Sequence, residues 1–238
     1  MRIPILTQVQ EKADSLLKAM DAASEQAEVM ETISIWELIQ GGGWYIMGPL
    51  AFLSVLAIYI FAERIMAIQR AGKEDKDFMN RIKDHIHEGR LDSAKNLCAQ
   101  TGTPISRMID KGISRIGKPI KDINAAVENV GTLEIYKLEK GLSTLATIAG
   151  AAPMIGFLGT VIGMIVTFHT MKVSGAGVQI DQMSGGIMQA MVTTVAGLVI
   201  GIIAYIAYNT LVTRVNKVVH SMEANTMEFL DLLDEPGK

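Results

Sequence analysis

Residues 141–171 read GLSTLATIAGAAPMIGFLGTVIGMIVTFHTM, a run that contains no Asp, Glu, Lys or Arg. Residues 38–62 and 182–213 are two further runs without those charged side chains. Each run is longer than the roughly 20 residues that a helix needs to cross a hydrocarbon core about 30 Å thick. The sequence therefore predicts an all-α integral membrane protein with three transmembrane helices, at residues 41–63, 141–171 and 182–213.

The charged residues lie between and around these runs and define the remaining segments. Residues 1–40 have apolar positions near helical spacing and seven acidic residues, which predicts an amphipathic N-terminal helix. Residues 64–140 are polar and interrupted by Gly and Pro, which predicts a cytoplasmic domain of several short helices. The second and third uncharged runs exceed the bilayer thickness, so both helices should project beyond it. Apolar spacing in the tail, 214–238, predicts that the third helix continues into it.

The basic residues predict the orientation in the membrane. Fifteen of the 22 Lys and Arg residues lie in residues 64–140, whereas the loop 172–181 contains only Lys172. Arg214 and Lys217 follow the third run directly. Because loops rich in basic residues stay in the cytoplasm, we expect the N-terminus and the loop 172–181 outside and the C-terminus inside.

Composition and motifs argue against several classes of function. A net charge of -3 gives no reason to expect nucleic-acid binding. The single cysteine, Cys98, cannot form an intramolecular disulfide, and we expect a reduced, buried thiol. The sequence contains no phosphate-binding glycine loop, zinc motif or nucleophile elbow. We therefore expect a protein that is not an enzyme and that uses no cofactor or metal.

Small residues form a stripe along each of the second and third predicted spanning helices. Helices in lipid associate mainly by close van der Waals packing, and Gly-x-x-x-Gly spacing allows backbones to approach. Ordinary packing of the two helices explains this pattern at least as well as a functional role. The candidate packing residues are Gly156, Gly159 and Gly163 in the second helix and Gly197 and Gly201 in the third.

Four polar residues near these stripes are candidates for lining a proton pathway. Thr160 and Thr194 each lie close to the middle of an uncharged run, and Gln189 and Thr193 lie near Thr194. A threonine in a membrane helix often bonds back to a carbonyl of its own helix, and this alternative stays open. Polar groups at mid-depth on glycine-rich faces nevertheless favour a polar pathway.

Neither of the two stripe-bearing runs contains a carboxylate. Glu63 lies at the membrane edge beside Arg64, where a surface ion pair is the simplest role. If protons cross the membrane here, the titrating acid must belong to another chain.

Four motifs carry a resemblance to a known family. They are FAER at 61–64, APMIGFLGTVIGM at 152–164, GIMQAMVTTVAGL at 186–198 and YIAYN at 205–209. With these motifs and the layout of residues 44–232, the chain resembles the ExbB/TolQ/MotA proton channel family, and its ExbB branch in particular.

The resemblance implies an assembly and a mechanism. It implies a homopentamer in the bacterial inner membrane whose second and third helices line a lumen around an ExbD-like partner. That single-span partner carries the proton on a membrane aspartate, and the motor drives a TonB-like protein for outer-membrane uptake. By position, Thr160 and Thr194 match the family's lumen threonines. Gln189 stands where ExbB and TolQ proteins commonly have glutamate, and an amide cannot titrate but still forms hydrogen bonds.

Other functions remain open on the sequence alone. A TolQ-like motor for envelope maintenance and a gliding-type motor share the same pattern. A membrane scaffold that conducts nothing would also need only the packing stripes. A stand-alone transporter is less consistent, because it needs a charged mid-membrane site or repeated helix bundles.

Overall fold

The computed structural model describes residues 43–73, 77–174 and 180–234, with no side-chain description at 174 and 180–182. These residues form helices and contain no β-strand. The predicted N-terminal amphipathic helix lies outside the described residues. The helices are α1 (Trp44–Ala71), α2 (Phe78–His87), α3 (Leu91–Thr101), α4 (Pro104–Ile113), α5 (Ile120–Glu139), α6 (Leu142–Ser174) and α7 (Ile180–Asp234).

Three of these helices, α1, α6 and α7, are long and apolar enough to cross a membrane. Their apolar side chains point outward far more than those of a water-soluble protein do. Phe52 is 66% exposed, Phe157 65% and Ile202 57%. Lipid or neighbouring chains must cover such a surface, so the predicted all-α membrane architecture with three spanning helices is confirmed.

Helix α7 is a single helix of 55 residues. At a rise of 1.5 Å per residue its length is about 80 Å, far more than the thickness of a bilayer. Its second half buries Leu211, Val215, Met222 and Phe229 against other helices. The prediction that the third spanning helix continues into the C-terminal segment is therefore confirmed.

Helices α2 to α5 pack with the second half of α7 around a common apolar core. Ile82, Ile109, Val127 and Phe229 are fully buried in this core. The turns between the short helices fall at glycines that interrupt residues 64–140 of the sequence. Gly102, with φ at 63°, ends α3 in the left-handed conformation, which residues other than glycine rarely adopt. We call this part of the molecule the helical body.

Helix α1 does not end at the charged pair Glu63 and Arg64, where its uncharged run stops. It continues to Ala71, with Gly72 as its C-cap. Two charged side chains do not interrupt helical hydrogen bonds, so the end of an uncharged run need not be the end of a helix. Pro49 lies in the second turn of the helix, where its missing amide N–H removes one helical hydrogen bond near the end of the helix.

An ion-pair network ties α1, α4 and α5 together. Arg64 pairs with Glu63, and its Nη1 donates to the Lys137 carbonyl oxygen at 3.2 Å. Glu134, only 3% exposed, accepts from Arg107 at 2.5 Å and from Lys137 at 2.7 Å. Burial alone would raise the pKa of Glu134, but these two cations outweigh it and hold the pKa below its usual value.

Cys98 is a free thiol buried in α3, as expected from the sequence. Burial, with a smaller contribution from the charge of Asp110, raises the pKa of Cys98 to about 12. The thiol therefore stays protonated at neutral pH and is a poor nucleophile.

Candidate functional site

Helices α6 and α7 are in contact through backbone and small side chains. A Cβ atom built on Gly156 would lie 2.8 Å from the Thr193 carbonyl oxygen and 3.1 Å from the Gly197 Cα. A Cβ on Gly197 would lie 2.6 Å from the Ala152 carbonyl oxygen. The two distances to carbonyl oxygens, 2.8 and 2.6 Å, are shorter than real Cβ atoms show, so the two backbones can approach this closely only with glycine at these positions.

The other three candidate packing glycines lie along the same interface. A Cβ on Gly159 would lie 2.8 Å from the Thr193 Cβ, and one on Gly163 would lie 2.8 Å from the Ala190 Cβ. A Cβ on Gly201 would lie 2.5 Å from the Pro153 Cγ. All five candidate glycines therefore lie where α6 meets α7.

Two adjacent threonines of α7 form hydrogen bonds across this interface. Thr194 Oγ1 donates to the Gly156 carbonyl oxygen at 3.0 Å. Thr193 Oγ1 donates to the same oxygen at 3.4 Å and to the Ala190 carbonyl of its own helix at 2.7 Å. Thr193 is only 2% exposed, so its side chain lies inside the helix pair. Thr194 is half-buried and reaches an open surface.

That open surface is a groove of about 790 Å³ along the α6–α7 pair. Thr194 is the polar residue among those that line it, and the walls are otherwise apolar. On α7 the next groove residue is Leu198, one turn from Thr194. The residues of α6 that line the groove are Ala151, Pro153, Met154, Ile155, Phe157, Leu158 and Val161.

Thr160 lies on α6 beside this groove. It is half-buried, and its Oγ1 donates to the Phe157 carbonyl oxygen of its own helix at 2.6 Å. Residues three apart on a helix are neighbours on one face, so Thr160 shares the side of α6 that carries the groove residue Phe157. Its present hydrogen bond is local, which leaves the hydroxyl oxygen able to accept another.

Gln189 lies apart from Thr160 and Thr194. Its side chain is exposed, and its Nε2 would lie 2.5 Å from a Cβ built on Gly43, the residue that precedes α1. Gln189 and Thr194 are five positions apart in the sequence, which places them about 140° apart around the axis of α7. The structure therefore places Thr194 in the lining of the groove, Thr160 outside that lining but on the side of α6 that carries Phe157, and the Gln189 amide beside the start of α1.

Thr167 is a polar residue of this interface that sequence reasoning did not select. It is 8% exposed, and its Oγ1 donates to the Gly163 carbonyl oxygen at 2.8 Å. The Thr167 side chain packs against Gly186 of α7, in space that a side chain at position 186 would need. The spacing of Gly163 and Thr167, four residues apart on the small-residue stripe, was the available signal.

The spanning parts of α6 and α7 contain hydroxyl and amide groups but no carboxylate, since residues 141–171 and 182–213 lack Asp and Glu. The nearest acid to the membrane end of α1 is Glu63, which is paired with Arg64. Hydroxyl groups can donate and accept hydrogen bonds but do not ionise at neutral pH. These two segments can therefore hydrate or position a titrating carboxylate, but they contain none of their own.

The fold and this interface define a class of membrane protein with three spanning helices, of which the last two pack through glycines and extend from a helical body. A comparison with protein families matches residues 100–224 to the MotA/TolQ/ExbB proton channel family. The match begins near the end of α3 and includes α4 to α6 and most of α7. The chain belongs to this family.

Individual relatives agree with this assignment. The chain is 25% identical over 191 residues to a biopolymer transport protein ExbB homolog from Methanothermobacter thermautotrophicus, and the similarity covers 80% of this chain and 67% of the relative. It is 27% identical over 179 residues to an ExbB-like 1 protein of Synechocystis, covering 74% and 70%. It is 38% identical over 113 residues to the Tol-Pal system protein TolQ of Haemophilus influenzae, covering 47% of each chain.

Proposed function

We propose that the chain is the ExbB-like channel and stator subunit of a motor driven by proton-motive force in a bacterial inner membrane. In this proposal an ExbD-like single-span partner carries the proton on a membrane aspartate, and the motor energises a TonB-like protein for outer-membrane uptake. One observation carries the proposal. A member of a proton channel family has threonine hydroxyls at its α6–α7 interface but no acid in either spanning segment.

Thr160 and Thr194 then serve as hydrogen-bonding positions for water or for the partner's carboxylate. The Thr194 hydroxyl donates across the helix pair, and Thr194 is the polar residue among those that line the groove, so its oxygen is the hydrogen-bonding atom proposed for an occupant of the groove. In a site of low dielectric constant, such a group stabilises a neighbouring polar partner more than it would in water. The proposal assigns no catalytic role to any residue.

A ring of copies is needed to enclose the pathway. A single chain leaves the groove open on one side, with Met154 at 72% and Leu158 at 50% exposure. Repeating the chain around an axis turns the same face inward in every copy, and such closed symmetry is the usual form of homo-oligomers. The proposed number of copies, five, comes from the family resemblance.

The proposed orientation places the start of α1 outside the cell and the helical body in the cytoplasm. It is supported by the basic residues at the membrane ends of that body. Arg64, Lys137 and Lys140 flank the spans on this side, and Lys172 is the single basic residue of the opposite loop. The proposal makes no use of the N-terminal 40 residues.

A TolQ-like role in envelope maintenance is the second candidate. The 38% identity to a TolQ protein supports it directly, although that similarity covers only 113 residues. Both roles share the proton-driven mechanism and differ in the protein that the motor drives. Identifying the protein that copurifies with the chain distinguishes the two roles. A TonB-like protein would support the first role and a Tol-type protein the second.

Two measurements test the proposal. Native mass spectrometry of the detergent-purified protein should show a homo-oligomer, and a folded monomer would contradict the ring. Liposomes that contain the chain and its single-span partner should take up protons under an imposed gradient. Replacing the partner's membrane aspartate with asparagine should abolish that uptake, and uptake by the chain alone would contradict the division of roles.

A further inference from the structure

A crevice between the end of α1 and the middle of α7 has the chemistry of a phosphate-binding site. Its volume is about 250 Å³. Arg214 and Lys217 of α7 supply two positive charges, and Gln69 of α1 supplies an amide. The described residues that line it include no carboxylate. Its apolar walls come from Ile68, Ala71, Ile105 and Val218, with Gly72 and Ser221 completing the lining.

The two helices come together closely enough here to form a defined cleft. A Cβ built on Gly72 would lie 3.2 Å from the Val218 Cγ2, so the end of α1 is in contact with α7. Ile68 is 2% exposed and Val218 6%, which fixes the apolar wall. Arg214, Lys217 and Gln69 remain exposed and reachable by a ligand.

The level of the crevice in the membrane follows from the rise along α1. From Trp44 to Arg64 the helix rises about 30 Å, the thickness of the hydrocarbon core. Ile68 and Gly72 lie about 6 and 12 Å beyond Arg64 by the same rise. The headgroup layer on each side is about 5 to 8 Å thick. The crevice therefore begins in the headgroup layer and opens at its outer edge.

We propose that this crevice binds the phosphate of an anionic phospholipid headgroup, such as phosphatidylglycerol. Arg214 pairs with the phosphate oxygens, since a guanidinium matches their geometry, and Lys217 adds a second charge. The apolar wall formed by Ile68 and Val218 lies against the adjoining glycerol and acyl carbons. Basic pockets between helices at this level are suited to anionic headgroups. The inference uses only the level of α1 in the membrane and does not depend on proton transport or on orientation.

The test uses the full-length detergent-purified protein and compares lipids with identical acyl chains. Phosphatidylglycerol should raise the melting temperature, because a ligand of the folded state stabilises it, and phosphatidylcholine should raise it much less. The double variant R214Q/K217Q should bind phosphatidylglycerol about 10- to 30-fold more weakly. The variant R214K keeps the charge and should retain most of the preference.

The matched control is K118Q/K121Q, which removes the same charge near the start of α5. That end of the helix lies about 30 Å along its axis from the membrane end. This control should keep the full preference for phosphatidylglycerol. If the double variant does not purify folded, the single variants R214Q and K217Q replace it, and each should lose part of the preference.

Three results would overturn the proposal. Equal stabilisation by both lipids would show that the headgroup charge is not recognised. An unchanged preference in the double variant and in both single variants would place recognition elsewhere. Stabilisation by inorganic phosphate alone, equal to that by phosphatidylglycerol at the same phosphate concentration and lost in the double variant, would assign the crevice to a soluble anion instead of a lipid.

Discussion

The α6–α7 contact within the membrane and the core of the helical body achieve close packing in opposite ways. In the interface, the glycines Gly156 and Gly197 remove side chains so that backbones touch. In the helical body, large side chains such as Phe229 and Ile109 fill the space between helices. Water drives the burial of large apolar groups, whereas in lipid close van der Waals contact is the principal gain, so each region uses the packing suited to its solvent.

The two regions also differ in their polar groups. The interface contains threonine hydroxyls bonded to carbonyl oxygens, such as Thr194 to Gly156. The helical body contains a buried carboxylate, Glu134, between two cations. A charge in the membrane is costly, but an ion pair beside water is not. The threonine hydroxyls of the α6–α7 interface therefore form hydrogen bonds without placing a charge in the membrane.

The largest effect is expected from filling a glycine of the interface. The side chain introduced by Gly156→Ile would clash with the backbone of α7, and the clash can be relieved only if the two helices move apart. We expect a loss of about 3 kcal/mol or more, at the upper end of overpacking costs, and little assembled protein. Size-exclusion yield and the melting temperature in detergent measure this.

Gly150→Ile is the control, because no atom lies within 4 Å of a Cβ built on Gly150. This variant should assemble as the wild type does. Equal damage in both variants would mean that added bulk harms α6 regardless of its contact with α7.

A smaller effect is expected in the helical body from Glu134→Gln. The amide keeps the shape of the side chain but removes the charge that pairs with Arg107 and Lys137. Breaking a fully buried pair costs about 3 to 5 kcal/mol, but both cations here are largely exposed, so we expect about 1 to 3 kcal/mol. Glu128→Gln, at an exposed site of the same helix, should change the free energy of unfolding by less than about 0.5 kcal/mol.

The cost of Glu134→Gln should depend on pH. Since the folded-state pKa of Glu134 lies below its usual 4.5, the charge stabilises the fold fully above that value. The stabilisation is lost as the pH falls through the lower, folded-state pKa. The difference in melting temperature between wild type and variant should therefore shrink on acidification below about pH 4.5. A constant difference would assign the effect to packing.

The smallest effect on assembly is expected from Gln189→Glu. The side chain is exposed and lies beside the start of α1, so a carboxylate can reach water or the pathway. The variant should assemble and keep at least part of its activity. Val195→Glu, at a 60% exposed apolar position of α7, should instead lose about 2 to 3 kcal/mol in insertion. Failure of Gln189→Glu to insert would place Gln189 against lipid.

The spanning helices and the long α7 could be predicted from sequence because their signals are local. The absence of charged residues over 141–171 and 182–213 is enough to predict a spanning helix in each segment. The apolar spacing beyond residue 213 is enough to predict that the last helix continues. The end of α1 could not be placed this way. Charges at Glu63 and Arg64 mark a membrane boundary but do not stop a helix, which ends only at Gly72.

The roles of the individual site residues depend on rotation about each helix axis. Thr193 and Thr194 are adjacent, yet one is enclosed by the helix pair and the other reaches the groove, since neighbours differ by 100°. The proximity of Gln189 to Gly43 joins residues far apart in sequence. The pairing of Arg107 with Glu134 is likewise a tertiary contact, 27 residues apart. One sequence contains no signal for any of these three relations.

We propose that threonine hydroxyls, and no acid of this chain, form the polar positions along the α6–α7 face. Proton flux into liposomes that contain the chain and its single-span partner tests it most directly. Thr160→Val, Thr194→Val and the double variant keep the side-chain shape but remove the hydroxyl. Thr132→Val is the control, because Thr132 is an exposed residue of α5 in the helical body, away from this face, and its hydroxyl donates to the Glu128 carbonyl oxygen of its own helix.

We predict that both single variants assemble with the partner and conduct more slowly, that the double variant conducts least, and that Thr132→Val conducts as the wild type does. A pull-down of the partner confirms assembly in each case. Wild-type flux in both single variants and in the double variant would contradict the claim and leave these threonines with a packing role alone.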